Sequence, residues 1–204
     1  MRVGVVADTH CPEFLDALPE RVFEALAGVD LILHAGDVNG TETLSQLERL
    51  APVRAIKGDH DKRLELPRSI EFEIEGKRVV LTHGNRSRWI EEPVTFVGTI
   101  SLGRLWLAPR LHRWLRQRFP TADVIVYGHT HAPANQELDG KLLFNPGAVY
   151  QVTPAEARRR LAKRPNWFEW TWLQVIRHRR HLLPPSVGIL EFVGGDVKGT
   201  IIPL

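Results

Sequence analysis

Five short apolar runs in this chain each lead into a cluster of aspartate, histidine and glycine, and no other feature limits the fold as much. Arg2 to Ala7 ends in Asp-Thr-His and Leu31 to Leu33 in His-Ala-Gly-Asp; Val53 to Ile56 runs on to Gly-Asp-His-Asp, Arg78 to Leu81 to Thr-His-Gly, and Asp123 to Tyr127 to Gly-His-Thr-His. A short run rich in valine, isoleucine and leucine, bounded by glycine and polar residues, reads as a buried strand. Between the first three runs, Pro19 to Ala27 spaces Val22, Phe23 and Leu26 for one helical face, with Pro19 in the first turn and Gly28 past the end. Thr41 to Leu50 repeats this with Leu44, Leu47 and Leu50. The opening is therefore βαβαβ, with its polar clusters at the strand ends where open α/β sheets hold ligands.

The second half is richer in strand. Ile70 to Glu75 and Arg78 to Leu81 are joined at Gly76, Ala134 to Leu138 and Lys141 to Phe144 at Asp139-Gly140, and Val187 to Phe192 and Val197 to Ile202 at Gly194-Gly195-Asp196; all three read as hairpins. With about ten strands and a few helices, the chain is expected to form one domain, residues 1–204, of two packed sheets with helices outside. Two segments, at about 86–119 and 154–183, do not belong to that scheme. The first combines a long loop, Asn85 to Gly103, with a helix over Leu105 to Phe119, where Leu107, Leu111, Trp114, Leu115 and Arg118 fall three or four apart. In the second, Trp167 to Ile176 is an aromatic block between Arg158, Arg159 and Arg160 and Arg177, Arg179 and Arg180. Such a block is expected to pack on the body or on a second subunit, because three tryptophans exposed together invite aggregation.

The net charge of +3 hides an asymmetry: residues 86–118 carry seven basic and two acidic side chains and residues 156–180 eight and two, so the rest of the chain stands at −8. Basic segments on an acidic body attract anions locally without making the whole chain a nucleic-acid binder. The lone Cys11 excludes an intramolecular disulfide framework and fits a reducing cytosol. No apolar run approaches the roughly 20 residues of a spanning helix, and the N-terminus starts a strand rather than an export signal. The expected location is cytoplasmic, with no membrane partner.

The polar clusters bring together Asp8 and His10, Asp37, Asp59 with His60 and Asp61, His83, and His129 with His131. A pair of metal ions needs several imidazoles and carboxylates on convergent loops, one carboxylate bridging, and a D-x-H or H-x-H step on an extended end lets two side chains reach one site. Each piece alone is common in turns and caps. All of them in this order, each behind an apolar run, point to a metal centre.

In Asp8-Thr9-His10, Gly36-Asp37, Gly58-Asp59-His60-Asp61, His83-Gly84 and Gly128-His129-Thr130-His131, the sequence resembles the calcineurin-like metallophosphoesterases. Its size and the Asn145-Pro146-Gly147 after the second hairpin are similar to the compact bacterial and archaeal phosphodiesterase branch, which itself resembles the retromer subunit of eukaryotes. The match covers roughly residues 1–85, 121–150 and 186–204. The resemblance implies an α/β/β/α sandwich of two mixed sheets flanked by helices, with a dinuclear metal site at the strand ends. It implies one ion on Asp8, His10 and His131, a second on Asp59, His83 and His129, and Asp37 between them. The ions would be manganese or an iron/manganese pair, with zinc and nickel as alternatives. A bridging hydroxide would attack phosphorus in line while His60, beside a ligand without being one, protonates the leaving alkoxide and Asp61 orients its neighbours.

The expected activity is that of a metal-dependent phosphoesterase acting on a phosphate-ester substrate, more specifically a phosphodiesterase. Two other readings stand beside it: a non-catalytic protein-binding scaffold on the same fold, and a nuclease using the basic segments, with nucleic acid as partner; a homo-oligomer is open. Asn39, close to the bridging aspartate, and Arg86, just past His83, are candidate substrate contacts, and Arg88 is a further one. Cys11 and His34 read as packing residues, and His112, His178 and His181 as surface side chains. One position departs from the family pattern: asparagine is usual where this chain has Asp59, so an oxygen donor is kept and one negative charge is added.

Overall fold

Along the first strand, β1 (Arg2–Val6), Val3 and Val5 enter the core while Gly4 and Val6 face the other way. This period of two sorts the side chains of the whole first sheet. The computed structural model describes residues 1–85, 108–165, 167–177 and 183–204, with the side chains of 108–110, 168 and 172 left aside. Arg86, Arg88, His178, His181 and most of the loop to Gly103 lie outside these residues. The described chain forms two compact units, one of residues 1–85, 114–150 and 184–204, the other of 86–113 and 151–183.

In the first unit, α1 (Glu20–Ala25) follows β1, β2 (Leu31–His34) precedes α2 (Thr41–Glu48), and β3 (Val53–Ala55) completes the parallel part of the first sheet. β9 (Ser186–Val193) and β10 (Asp196–Pro203) add antiparallel strands, giving the order β10-β9-β1-β2-β3. The second sheet runs β4 (Ser69–Ile74), β5 (Lys77–Thr82), β6 (Val124–Val126), β8 (Lys141–Asn145), β7 (Ala134–Leu138), with hairpins at its edges and parallel pairs in its middle. Val3, Val5, Leu31 and Leu33 of one sheet meet Val79, Leu81, Val124, Val126 and Phe144 of the other. On the outer face of the first sheet, Val6, Ile32, Val187 and Ile189 pack with Val22, Leu26 and Leu47 of the α1 and α2 regions. Two mixed sheets with flanking helices make the α/β/β/α sandwich that the sequence predicts.

All three hairpin turns have two consecutive residues at positive φ: Glu75-Gly76 (47° and 78°), Asp139-Gly140 (50° and 71°) and Gly194-Gly195 (60° and 87°). That is the type I′ geometry whose twist matches paired strands. The helices are shorter than their patterns suggest. Pro19 is the N-cap of α1 rather than its first residue, and α2 stops at Glu48. α3 (Ala108–Arg118) lies inside the helix expected over Leu105 to Phe119.

The second unit contains two helices that packing periodicity alone leaves unannounced. α4 (Pro154–Leu161) begins at Thr153, whose Oγ1 accepts the Glu156 N–H at 3.1 Å, with proline in the first turn. α5 (Trp167–Arg177) packs on it, and Arg160 donates to Glu169 across the pair. The aromatic block is thus helical. Leu173, Val175 and Ile176 are buried while Trp167 and Trp170 are 67% and 50% exposed, because a period of 3.6 sends positions 167, 170, 174 and 177 to one outer face. Among the described residues, no helix is long and apolar enough to cross a membrane.

Candidate metal centre

The loops after β1, β2, β3, β5 and β6 converge within the first unit, and their backbone is unusual. Asp8, His10, Asp37, His129 and His131 are all left-handed, with φ of 51°, 48°, 54°, 67° and 54°. Each such residue costs about 1 kcal/mol or more, and persists only where the surroundings hold it. Here the Asp8 N–H donates to Gly36 O (3.0 Å), the His10 N–H to Asp37 O (3.0 Å), the His60 N–H to Asp37 Oδ1 (2.8 Å) and the His129 N–H to Asp8 Oδ2 (3.0 Å). Gly36 permits the crossing: a Cβ there would lie 2.6 Å from His83 Nδ1 and 2.9 Å from the Gly58 nitrogen.

Seven of the residues singled out in the sequence come together as two donor groups. Ligating atoms of Asp8, His10 and His131 lie within 4.8 Å of one another, as do those of Asp59, His83 and His129. Asp37 stands with members of both: its Oδ2 is 3.6 Å from His10 Nε2 and 3.4 Å from His83 Nε2, and it groups with Asp8 and His83. The structure also brings His60 within the same reach of His10 and Asp37. His10 Nδ1 and His83 Nε2 are buried with no hydrogen-bond partner, the 3.4 Å approach to Asp37 being a close ion contact without directed geometry. His83 Nδ1 donates to Ala35 O at 2.7 Å, which fixes the ring and turns Nε2 inward.

The electrostatics describe a site short of positive charge. Burial pushes the Asp8 carboxyl up to about 8 and pulls His10 down to about 3 and His131 to about 4. Burial also lowers His83, but the Asp37 contact and charge, with Asp8 behind it, outweigh that and raise it to about 10. Asp37 stays below the ordinary carboxylate range because His83 and His10 outweigh its own burial. Buried carboxyl groups facing imidazoles, with His10 and His131 held neutral and His83 charged until a cation displaces its proton, are the donor chemistry of divalent transition metals. The residues fit two such ions.

Around these groups the remaining candidates are bound into the loops. Asp61 is buried and accepts from the Gly58 N–H (2.9 Å) and the Asn39 N–H (2.7 Å), tying the β3 loop to the β2 loop. The Asn39 side-chain amide is engaged by Glu13. His34 is buried, as its packing reading requires, and its Nε2 lies 3.1 Å from Thr9 Oγ1. The sequence reading missed two residues. Glu13 Oε2 lies 3.2 Å from His60 Nδ1, and Asn85 donates to Asp59 Oδ1 at 2.6 Å. Both sit within three residues of a recognised motif, the one signal that could have drawn attention to them.

The profile of the Calcineurin-like phosphoesterase superfamily domain matches residues 1–161. A probable metallophosphoesterase of Methanothermobacter thermautotrophicus is 40% identical over 151 residues, 72% of this chain and 77% of that protein. A phosphodiesterase of Methanocaldococcus jannaschii is 25% identical over 166 residues, covering 72% and 83%. The zinc complex of Vps29 from Entamoeba histolytica shares the fold, at a TM-score of 0.64 and 22% identity over 100% of this chain and 99% of that one. The chain belongs to the calcineurin-like phosphoesterase superfamily, and by class it is a metal-dependent phosphoester hydrolase.

Proposed function

We propose that this protein is a phosphodiesterase with one ion on Asp8, His10 and His131, a second on Asp59, His83 and His129, and Asp37 between them. The observation that carries this is the pair of donor groups, each within 4.8 Å, with Asp37 facing both. When bound, two ions, manganese or an iron/manganese pair, supply Lewis-acid neutralisation of phosphoryl charge and activation of water at neutral pH. Every other step rests on the side chains. The His60 backbone is tethered to Asp37, its ring stands edge-on to His10 at 4.8 Å, and its side chain is 44% exposed. With Glu13 at Nδ1, Nε2 is the nitrogen left to hand a proton to the departing alkoxide. Asp61 holds the loop that carries it. We propose Asn39 and Arg86 as contacts to substrate, a single catalytic domain to which segments 86–119 and 154–183 are additions, and action in the cytoplasm.

His60→Ala should keep both metal ions and lose about 10² to 10⁴ in rate on diesters with poor leaving groups, far less on a nitrophenyl diester. Equal losses across leaving groups of widely different pKa remove the acid role. A panel of diesters and monoesters assayed with manganese tests the substrate class. One observation favours a nuclease as second reading: residues 86–113 and 151–183 hold thirteen basic and four acidic side chains. Binding of single-stranded DNA that weakens steeply with salt supports it.

A further inference from the structure

Asp59 raises a chemical question. An ionised carboxylate has two oxygens of equal strength, can chelate an ion with both, and brings a full negative charge to a centre that must attract phosphate. In this structure the two oxygens are not equivalent. Asn85 Nδ2 donates to Oδ1 at 2.6 Å, whereas Oδ2 is the oxygen 3.5 Å from His129 Nδ1. The amide orientation follows from the chemistry, because a carboxylate accepts and the opposite flip would set oxygen against oxygen. Asn85 comes two residues after His83, on the loop leaving β5, so the same loop supplies one donor of the group and a hydrogen bond to another. Asp59 is the most exposed donor of its group: its side chain is 49% exposed, against 0% for His83 and 26% for His129.

We propose that Asn85 is a positioning residue for Asp59. Its amide occupies Oδ1, so that Oδ2 alone is offered to the ion and part of the carboxylate charge is drawn into a charge-assisted hydrogen bond. Asp59 then works as a one-oxygen donor of reduced charge, which is how this chain accommodates an aspartate at a position where a neutral oxygen would serve. The proposal rests on the reading that Asp59, His83 and His129 hold the second ion.

The test is calorimetric titration of the chelator-stripped protein with Mn²⁺ alone, comparing wild type, Asp59→Ala, Asn85→Ala and Asn85→Asp, with thermal unfolding of each metal-free protein alongside. Asp59→Ala examines the underlying reading: it should bind one ion, and two ions bound as in wild type would remove that reading together with the proposal. If the reading stands, Asn85→Ala should keep two ions but bind one of them about 10- to 100-fold more weakly, the usual loss when an outer partner of a ligand is removed. Asn85→Asp, nearly isosteric but unable to donate when ionised, should lose at least as much. The proposal is overturned if Asp59→Ala drops to one ion while both Asn85 variants bind two with wild-type affinities. It is equally overturned if an affinity loss comes only with a lowered metal-free unfolding midpoint, since that marks a general structural role.

Discussion

The two donor groups use the same residue types and are held in different ways. Asp8 and His10 are buried, and Asp8 accepts the His129 N–H with its strained backbone fixed by the neighbouring loop. In the other group only His83 is buried, and Asp59 stands half in solvent with Asn85 at its side. Burial preorganises a site and costs folding energy, because a carboxylate removed from water is unfavourable until a cation arrives. Exposure avoids that cost and, among the described residues, leaves orientation to the Asn85 hydrogen bond and the His129 contact. Between them Asp37 faces both groups, so it would couple two sites of different design.

Breaking that coupling should have the largest effect. Asp37→Ala is expected to lose both ions and about 10³-fold or more in turnover, given several kcal/mol of transition-state stabilisation from the metals. Metal analysis beside activity checks this; retention of one ion at wild-type affinity would show the groups to be independent.

The pH dependence of metal binding should distinguish the groups next. In the metal-free chain the raised Asp8 and His83 both hold protons at pH 7, and both must lose them to become ligands. Affinity therefore rises with pH, about tenfold per unit for each proton displaced. The group containing Asp8 should level off above about pH 8, and the group containing His83 only above about pH 10. Mn²⁺ titrations in buffers of different ionisation heat count the protons; no proton release at pH 7 would contradict the reading.

The smallest effect concerns stability. Asp8 is raised in the folded chain, so between its ordinary value of 3.8 and about 8 the unfolded chain ionises while the folded chain resists, and metal-free stability falls as pH rises through that window. Asp8→Asn keeps an acceptor for the His129 N–H and removes the titration. Its metal-free unfolding midpoint at pH 8 should rise, by about 2–4 °C for each kcal/mol regained, while Asp59→Asn leaves the midpoint unchanged. Equal shifts in the two variants would erase the distinction between buried and exposed groups.

The strands, the three hairpin turns and the polar clusters at the strand ends were legible in the chain because they are written in nearest neighbours: apolar runs, Asp139-Gly140 and Gly194-Gly195 at the turns, histidine and aspartate two apart. The helix at Thr153 was not read from the sequence, although its proline and its Glu156 three residues on are local signals of it. Around Trp167 the sequence announced an aromatic block, but not that it would be a helix with two of its tryptophans facing outward. What only the tertiary structure decided is who stands beside whom across the fold. Glu13 reaches His60 over 47 residues and Asn85 reaches Asp59 over 26, and neither pairing follows from any local period. The left-handed turns at Asp8, His10, Asp37, His129 and His131 were equally hidden, since a non-glycine residue keeps that conformation only when contacts from distant segments repay its strain. The sequence thus determined which donors exist and the order in which the strands deliver them. Packing of the two sheets decided which donors are buried and which oxygen of Asp59 is turned inward, because burial and orientation are properties of neighbours that the chain brings together only on folding.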